Sequence, residues 1–344
     1  MKKGLFVLLV ILISGCSEYT EPQESDIAVF ERFLSEKPVN PTDEVNIASI
    51  YKEEDALFSP ILSIQRRKLA EAEEELQPLV EKGDPEAMFW MAKIIYRSSI
   101  KDTPKALALL KASAKTNPYA AMALSPDSKE CKKYFGEQCQ EKWVEQAKKL
   151  FKKEAEQGNV RAVFYYKKLK KDHDIYIDAI IEAASNNYYY PLVDYANSIL
   201  LKESRNNKME DLAGQLLSYA SSRDFVPALE SLILYKERKY NITYRELSEY
   251  PEYIDLINKG VKLGSNYAWE MNTLIYRVDD SKSNVDKYIV AKAQSIFNGE
   301  NIGLSLIDKI SNKKDLSKAN KKAQEMVDAV KDVIYIDGAH PRQD

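Results

Sequence analysis

A weak internal repeat constrains the fold of this chain more than any other feature of its sequence. Six segments share one pattern around a turn residue, here called the anchor, and successive anchors are 33, 42, 29, 37 and 40 residues apart. The anchors are Gly83, Thr116, Gly158, Asn187, Asp224 and Gly264. Self-similarity at such periods is typical of proteins that stack one small structural unit many times.

The residues at fixed distances from each anchor indicate what that unit is. Seven residues before the anchor, every position is large and apolar: Leu76, Leu109, Phe151, Ile180, Leu217 and Ile257. Four residues after it, five of six positions are alanine: Ala87, Ala120, Ala162, Ala228 and Ala268. Positions seven and three before the anchor share one helix face, and positions four and eight after it share another. The pattern therefore predicts a helix pair at each anchor, and stacked pairs form an all-α solenoid.

This arrangement resembles the Sel-one-like repeat, a relative of the tetratricopeptide repeat. The resemblance covers about residues 65–300, and it is degenerate because only three anchors keep the glycine of the family pattern. It implies an α-solenoid of about six helix pairs over residues 61–300 that binds proteins. Residues 301–344 would form a C-terminal cap and tail, with a closing helix in DLSKANKKAQEMVDAVKDV and a loose tail in GAHPRQD.

The N-terminus has the features of a secretory signal. Lys2 and Lys3 precede an apolar run over residues 4–13, which is shorter than the roughly 20 residues that span a bilayer. The stretch Ile-Ser-Gly-Cys that ends at Cys16 resembles the lipobox of bacterial lipoproteins. A plain secretory signal that ends near a cysteine is the alternative.

The lipobox resemblance implies a membrane anchor. Residues 1–15 would be removed as a signal peptide, and acylated Cys16 would become the first residue of the mature chain. Ser17 stands where an aspartate would favour retention in the inner membrane, so the expected location is the periplasmic side of the outer membrane. Residues 16–60 are polar and contain several prolines, and they are expected to form a tether with a short helix near residues 27–34.

The two remaining cysteines support this compartment. Cys131 and Cys139 are eight residues apart, and no other thiol competes for either of them. In an oxidising periplasm they are expected to form a disulfide, which would keep the long spacer between the second and third anchors compact. A metal site is the alternative, although both histidines, His173 and His340, lie far away in the sequence.

The sequence carries little sign of catalysis. It contains no phosphate-binding glycine loop and no serine-hydrolase or zinc-protease motif. Asp172, His173 and Asp174 could bind a metal, but they are expected in a solvated loop between helices. With 50 Lys and Arg against 53 Asp and Glu, the chain is mildly acidic, which disfavours a nucleic-acid partner. We therefore expect no enzyme, cofactor, metal or nucleic acid.

Tyrosine is the unusual residue of this chain, with 22 copies against 10 phenylalanines and 3 tryptophans. Tyrosine suits binding surfaces because it offers a large apolar area and a polar tip. The first helices of successive pairs are expected to line the concave face of the solenoid. Candidate partner-binding residues there are Tyr165, Tyr188, Tyr189 and Tyr190. Packing between repeats is the equal alternative for these four, and it is favoured for Tyr166 and Tyr195, which stand eight residues after anchors.

The combination of a lipobox, a helical solenoid and a disulfide without a catalytic set resembles the immunity lipoproteins paired with type VI secretion lipase effectors. That resemblance implies a protein partner, a secreted lipase toxin, whose active-site mouth or membrane-docking face would be covered. Two alternatives remain open. One is an envelope scaffold or assembly adaptor with a different partner, and the other is a hydrolase that uses carboxylates on the concave face.

Overall fold

Every regular element in this computed structural model is helical across the described residues, which are 18–36, 51–98, 100–202, 206–242, 250–305, 307 and 310–341. The predicted all-α fold class is therefore confirmed. The α-helices are α1 Asp26–Glu36, α2 Phe58–Gln65, α3 Leu69–Glu81, α4 Pro85–Ser98, α5 Thr103–Ser113, α6 Pro118–Ala123, α7 Lys129–Tyr134, α8 Glu141–Glu156, α9 Val160–Lys168, α10 His173–Ser185, α11 Tyr190–Leu201, α12 Asn207–Ser221, α13 Val226–Tyr240, α14 Pro251–Lys262, α15 Asn266–Val278, α16 Asn284–Asn298, α17 Ile302–Ser305 and α18 Lys313–Asp328.

Six helix pairs form the body of the molecule, as the repeat predicts. The pairs are α3–α4, α5–α6, α8–α9, α10–α11, α12–α13 and α14–α15, and the helices of each pair pack against each other and against the neighbouring pair. The turns within the pairs are only a few residues long, so successive helices run antiparallel. The α-solenoid is therefore present in the structure.

The anchors form the turns within the pairs. Five of the six have a left-handed backbone with φ between 58° and 84°, namely Gly83, Gly158, Asn187, Asp224 and Gly264. Thr116 is the exception, since a β-branched side chain disfavours that conformation. In this repeat the helix face also shifts, because Leu109 is half-buried and the next residue, Leu110, is buried instead.

Small residues let the paired helices approach closely. All five alanines that stand four residues after an anchor are fully buried. Beyond the sixth pair, α18 packs against α16 through Ala319 and Ala323 and exposes most of its other residues. The predicted closing helix is thus present at the C-terminal end of the solenoid.

The short helix expected near residues 27–34 is present as α1, but residues 18–36 are docked on the solenoid and are not a free tether. They end in α1, which packs against α10 and α12, with Phe30 and Phe33 buried. The ring of Phe30 contacts Tyr195, and the ring of Phe33 contacts Tyr219. A tether would leave both phenylalanines in water, at a cost of roughly 1.5–3 kcal/mol each. The predicted lipidation site, Cys16, lies outside the described residues.

The C-terminal end also differs from its expectation. After α18, residues 331–341, here called the terminal segment, cross the solenoid without helical structure. The expected loose tail in GAHPRQD is wrong over residues 338–341, because Gly338 packs on Tyr119 and His340 stacks on Tyr190, while residues 342–344 lie outside the described residues. Just before them, Ile334, Tyr335, Ile336 and Asp337 are all buried. The apolar side chains find a dry environment only inside the solenoid, which explains why the segment docks there.

The solenoid curls around the terminal segment. The side chain of Asn266, at the start of α15, donates a hydrogen bond to the carbonyl oxygen of Gln65, at the end of α2, over 2.6 Å. Arg67 forms an ion pair with Glu270 of α15 at 2.5 Å. The chain just before the first pair therefore touches the sixth pair.

The spacer that contains both cysteines packs as a compact insert. Cys131 and Cys139 are joined by a disulfide, and Cys131 is fully buried. The insert begins with the short helix α7, whose Tyr134 packs edge-on against Tyr96 of α4 with ring centroids 4.9 Å apart. Phe135 contacts the same ring at 5.9 Å. The insert is thus held both by the disulfide and by aromatic contacts with the first pair.

Candidate functional site: an inner groove that holds the terminal segment

The surface that contacts the terminal segment combines side-chain hydrogen bonds, a buried ion pair and an aromatic stack. We call it the inner groove, and it is formed by Gln65, Tyr119, Arg161, Tyr188, Tyr190 and Asp194. Five of these six residues, all but Gln65, lie on second helices of pairs or just before them, and not on the first helices, which were expected to line the concave face. These residues come from different helices, and the terminal segment contacts all six because the curled solenoid brings the helices together.

Gln65 holds the backbone of the terminal segment. Its side-chain nitrogen donates a hydrogen bond to the carbonyl oxygen of Val333 at 2.8 Å. Its side-chain oxygen accepts hydrogen bonds from the backbone nitrogens of Tyr335 at 2.7 Å and Ile336 at 3.3 Å. These contacts satisfy backbone groups that would otherwise be buried without partners, and they do not depend on the side chains of the segment.

A buried ion pair holds Asp337 in the groove. The Arg161 Nε atom lies 3.7 Å from the Asp337 carboxylate, and both side chains are buried. The Tyr188 hydroxyl donates a hydrogen bond to the same carboxylate at 2.8 Å, and it lies 3.0 Å from the hydroxyl of Tyr165. Burial alone would raise the pKa of Asp337, but His340 and Arg161 outweigh it and hold the pKa well below its usual range.

His340 packs the end of the terminal segment against α11. Its ring stacks on Tyr190 with centroids 3.7 Å apart and planes 1° from parallel. The two ring nitrogens lie 3.0 Å from carboxylate oxygens of Asp337 and Asp194. Burial alone would lower the pKa of His340, but these two carboxylates outweigh it and raise the pKa to about 10. His340 is therefore an imidazolium at neutral pH.

Gly338 lies flat against the ring of Tyr119. A Cβ atom at this position would lie 2.4 Å from the Tyr119 Cγ atom and 2.8 Å from its Cβ atom, well inside van der Waals contact. Those atoms are close to the backbone of α6 and cannot swing away. The groove therefore admits only glycine at this point of the segment.

The four candidate tyrosines are all buried, between 2% and 4% exposed. Tyr188 and Tyr190 contact the terminal segment, and Tyr165 supports Tyr188 through its hydroxyl. Tyr189 packs in the core instead, with its ring against Tyr219 and Phe225. All four rings thus take part in packing, and their role in binding a separate partner stays a prediction. Tyr166, expected in the core, is half-buried.

His173 does not lie in a solvated loop. It is the first residue of α10, and its ring bridges to the N-terminal segment. Its Nε2 atom lies 2.9 Å from an Asp26 carboxylate oxygen, and its Nδ1 atom lies 2.8 Å from the backbone oxygen of Tyr19. Among the described residues, no cluster of three or more His, Cys, Asp or Glu side chains could hold a metal. None of the described helices has the length and apolar character needed to span a bilayer.

One buried carboxyl group has a pKa near neutrality, but its hydrogen bond joins two helices of the fold. Burial raises the pKa of Glu230, on α13, to about 7. Its side chain is 7% exposed and accepts a hydrogen bond from the Ser265 hydroxyl at 2.6 Å. This contact ties α13 to the turn before α15. The absence of enzymatic activity stays a prediction.

The inner groove could not be predicted from the sequence, because its contacts join residues far apart in the chain. Gln65 and Tyr335 are separated by 270 positions, and Tyr188 and Asp337 by 149. The one local signal was the run Val333–Ile336, which is apolar at every position although it follows a polar closing helix. Such a run indicates burial.

Among solved structures, one example is distantly similar to this chain. A crystal structure of c5321, a protective antigen present in uropathogenic Escherichia coli strains that displays an SLR fold, is similar to this chain with 15% identical residues and a TM-score of 0.39. The alignment covers 80% of this chain and 62% of that chain, so this chain spans less than two thirds of that protein's length. No family model matches the chain, and no curated protein matches it.

Proposed function

We propose that this chain is a lipid-anchored protein-binding module and that its partner binds in the inner groove in place of the terminal segment. The observation that carries the proposal is the groove's present content, an extended polypeptide held along residues 331–341. A surface that already holds an extended polypeptide has the shape and the hydrogen-bonding groups to hold another.

The chemistry of the groove separates affinity from specificity. The hydrogen bonds from Gln65 go to backbone atoms, so a segment of another sequence can use them equally. Arg161 and Tyr188 favour a carboxylate at one position. Within the described residues, the Arg161 Nε atom is buried and has no hydrogen-bond partner, so a partner carboxylate placed slightly closer than Asp337 would gain that bond.

The lipid anchor at Cys16 and the location at the outer membrane belong to the same proposal. Acylation at Cys16 would hold the module on the periplasmic side of the outer membrane, supported by the short charged start, the apolar run and the lipobox resemblance. The disulfide between Cys131 and Cys139 is in keeping with an oxidising compartment. A mildly acidic body would favour encounter with a basic partner.

We further propose that the partner is a lipase toxin delivered by type VI secretion, which this module would block as an immunity protein. The support is the combined resemblance of the lipobox, the solenoid and the disulfide described above. The module would act by occlusion, because a toxin segment held in the groove would keep the body of the toxin against the solenoid and away from lipid.

Protection assays with two opposing variants test this function. The chain is produced in a bacterial host together with a lipase-like toxin encoded beside its own gene, and survival is measured. Arg161→Gln removes the positive charge that pairs with a carboxylate in the groove, and it should abolish protection. Gly338→Ala weakens the resident segment through its clash with Tyr119, so protection should be kept and the affinity for the toxin should rise. Lys82→Glu, at an exposed turn, is the control and should change neither.

The alternatives give different results in the same assay. If the chain is an envelope scaffold, its loss should disturb the envelope in the absence of any toxin, and no variant should alter survival. If Arg161→Gln protects as well as the wild type, the inner groove is not the toxin site.

A further inference from the structure

Large apolar side chains in the described part of the chain are exposed mainly where helices meet one edge of the solenoid. Leu201 ends α11 and is 75% exposed, and Tyr240 ends α13 and is 54% exposed. Leu234 on α13 and Tyr250, just before α14, are also exposed. Because successive helices are antiparallel, the ends of α11 and α13 and the starts of α12 and α14 lie on the same side, opposite the anchor turns. We call this side the α11–α13 edge.

A shallow cleft lies within this edge. It has a volume of about 240 Å³, and its lining includes Leu200, Leu201, Leu234 and Arg238. That volume is below the roughly 300–1,000 Å³ of typical small-molecule sites. The cleft is therefore better suited to a short stretch of hydrocarbon than to a whole metabolite.

The N-terminal segment is fastened to the same edge. The ammonium group of Lys202 lies 3.0 Å from the Glu21 carboxylate and donates a hydrogen bond to the backbone oxygen of Pro22 at 3.0 Å. The Asn206 side chain donates a hydrogen bond to Glu24. Lys202 directly follows the exposed Leu201, so the N-terminal segment passes beside the cleft.

This fastening limits how far the edge can lie from the membrane anchor. Glu18 is the first described residue, and Cys16 precedes it by two positions. Two residues span at most about 7 Å. The interfacial layer on each side of a bilayer is roughly 5–8 Å thick. If Cys16 carries the lipid, the segment that begins at Glu18 must start within or just above that layer.

We propose that the α11–α13 edge rests on the bilayer that holds the acylated Cys16, with Leu201 and Leu234 among the lipid headgroups and upper acyl chains. Arg238 would lie at the level of the lipid phosphates. This inference rests on the lipid anchor proposed above. It gives the molecule one orientation on the membrane.

The composition of the edge fits a bilayer. Tyrosine and long basic side chains are the residues that favour the membrane interface, since each combines an apolar body with a polar tip. The edge carries Tyr240, Tyr250 and the basic residues Lys236, Arg238 and Lys239, of which Lys236 pairs with Glu252 and Lys239 with Asp211. A basic side chain near an anionic lipid surface is attracted to it. A protein partner could use such an edge too, but proximity to Cys16 argues for the bilayer.

Fluorescence quenching in vesicles tests this orientation. The acylated full-length chain carries Leu201→Cys, labelled with an environment-sensitive dye, and Lys82→Cys at the opposite edge is the matched control. The native Cys131 and Cys139 are joined, so the introduced thiol is the only one free for labelling among the described residues. The vesicles contain phosphatidylethanolamine, phosphatidylglycerol and a lipid with a nitroxide in its headgroup. The mass of the mature chain is measured first.

Each outcome decides a different claim. If the chain is acylated and the dye at position 201 is quenched several-fold more than the dye at position 82, the orientation is supported. If the chain is acylated and both dyes are quenched equally, the orientation is overturned while the lipid anchor is supported. If Cys16 carries no lipid, the lipid anchor and the orientation are both overturned. If the chain is a dimer by light scattering in detergent and the dye at position 201 is not quenched in vesicles, a second copy covers the edge and the membrane assignment is overturned.

Discussion

At the scale of single residues, the turn anchors decide where each helix pair folds back. Gly158 has φ of 84°, and a Cβ atom placed there would meet nothing within 4 Å. Glycine at this anchor is therefore required by backbone conformation alone and not by crowding. Thr116 occupies the equivalent turn without a left-handed backbone. These two anchors form a natural pair of test and control.

We expect Gly158→Ala to lower the free energy of unfolding by about 1–2 kcal/mol, the cost of holding an L-residue in the left-handed region. Thr116→Ala should change it by less than about 0.5 kcal/mol, since Thr116 is exposed and its backbone is ordinary. Urea unfolding followed by circular dichroism measures both. Equal losses in the two variants would contradict the role assigned to the anchors.

His340 should make the stability of the molecule depend on pH in a defined direction. Its pKa is raised from 6.5 to about 10 by two carboxylates that outweigh its burial. A raised pKa stabilises the fold fully below the unfolded value, and this contribution is lost as the pH rises towards 10. The stability difference between wild type and His340→Gln should therefore be largest near pH 6 and should shrink between pH 7 and pH 10. A difference that grows over this range would contradict the ion pairs with Asp194 and Asp337.

At the scale of elements, the insert with α7 shows how a local cross-link supplements packing. The disulfide closes a loop between residues only eight positions apart. On the chain-entropy estimate, such a loop is worth roughly 2–3 kcal/mol. We expect the double variant Cys131→Ser, Cys139→Ser to lose this amount in urea unfolding and to become insensitive to reductant. Wild type that shows no loss on reduction would contradict a stabilising disulfide.

The terminal segment should behave as part of the core and not as a free tail. Hydrogen exchange read by mass spectrometry should show slow exchange at the amides of Tyr335 and Ile336, which donate to Gln65. Gly338→Ala should speed exchange in the terminal segment and leave the helices of the six pairs unchanged. Exchange in wild type as fast as in a free peptide would show that the segment is undocked.

The elements also show what the sequence could and could not reveal. The helix pairs follow from local spacing, because Leu76 and Ala87 stand on the same repeat as Gly83 and need no distant information. The docking of α1 and of the terminal segment depends on residues that meet only after the solenoid has curled, such as Phe30 with Tyr195. Periodicity does not encode those contacts, so the sequence predicts a tether around a short helix at one end and a loose tail after a closing helix at the other.

The same limit applies to the candidate site. Tyrosine enrichment drew attention to Tyr165, Tyr188 and Tyr190, all of which lie at or beside the inner groove. Gln65 and Arg161 were missed, because a single glutamine or arginine in a helix carries no pattern of its own. Their importance follows from the groups that the fold places opposite them.

At the scale of the whole molecule, the structure is a solenoid closed around part of itself. The terminal segment joins the turn before α15 to α6, α9 and α11, and Gln65 joins the start of the solenoid to its end. Closure of this kind buries the ion pair of Arg161 and Asp337, and a low local dielectric strengthens their attraction. It also means that a partner must compete with a segment that is always present at high effective concentration.

The most direct test of the central claim, that the inner groove binds extended polypeptide, is a titration of the full-length Gly338→Ala chain with a fluorescent peptide of residues 330–341. Fluorescence anisotropy should show saturable binding to this variant, much weaker binding to wild type, whose groove is occupied, and loss of binding when the peptide carries Asp337→Ala. Circular dichroism should show that the variant is as helical as wild type. A folded variant that fails to bind the peptide, or that binds the Asp337→Ala peptide equally well, would contradict the account.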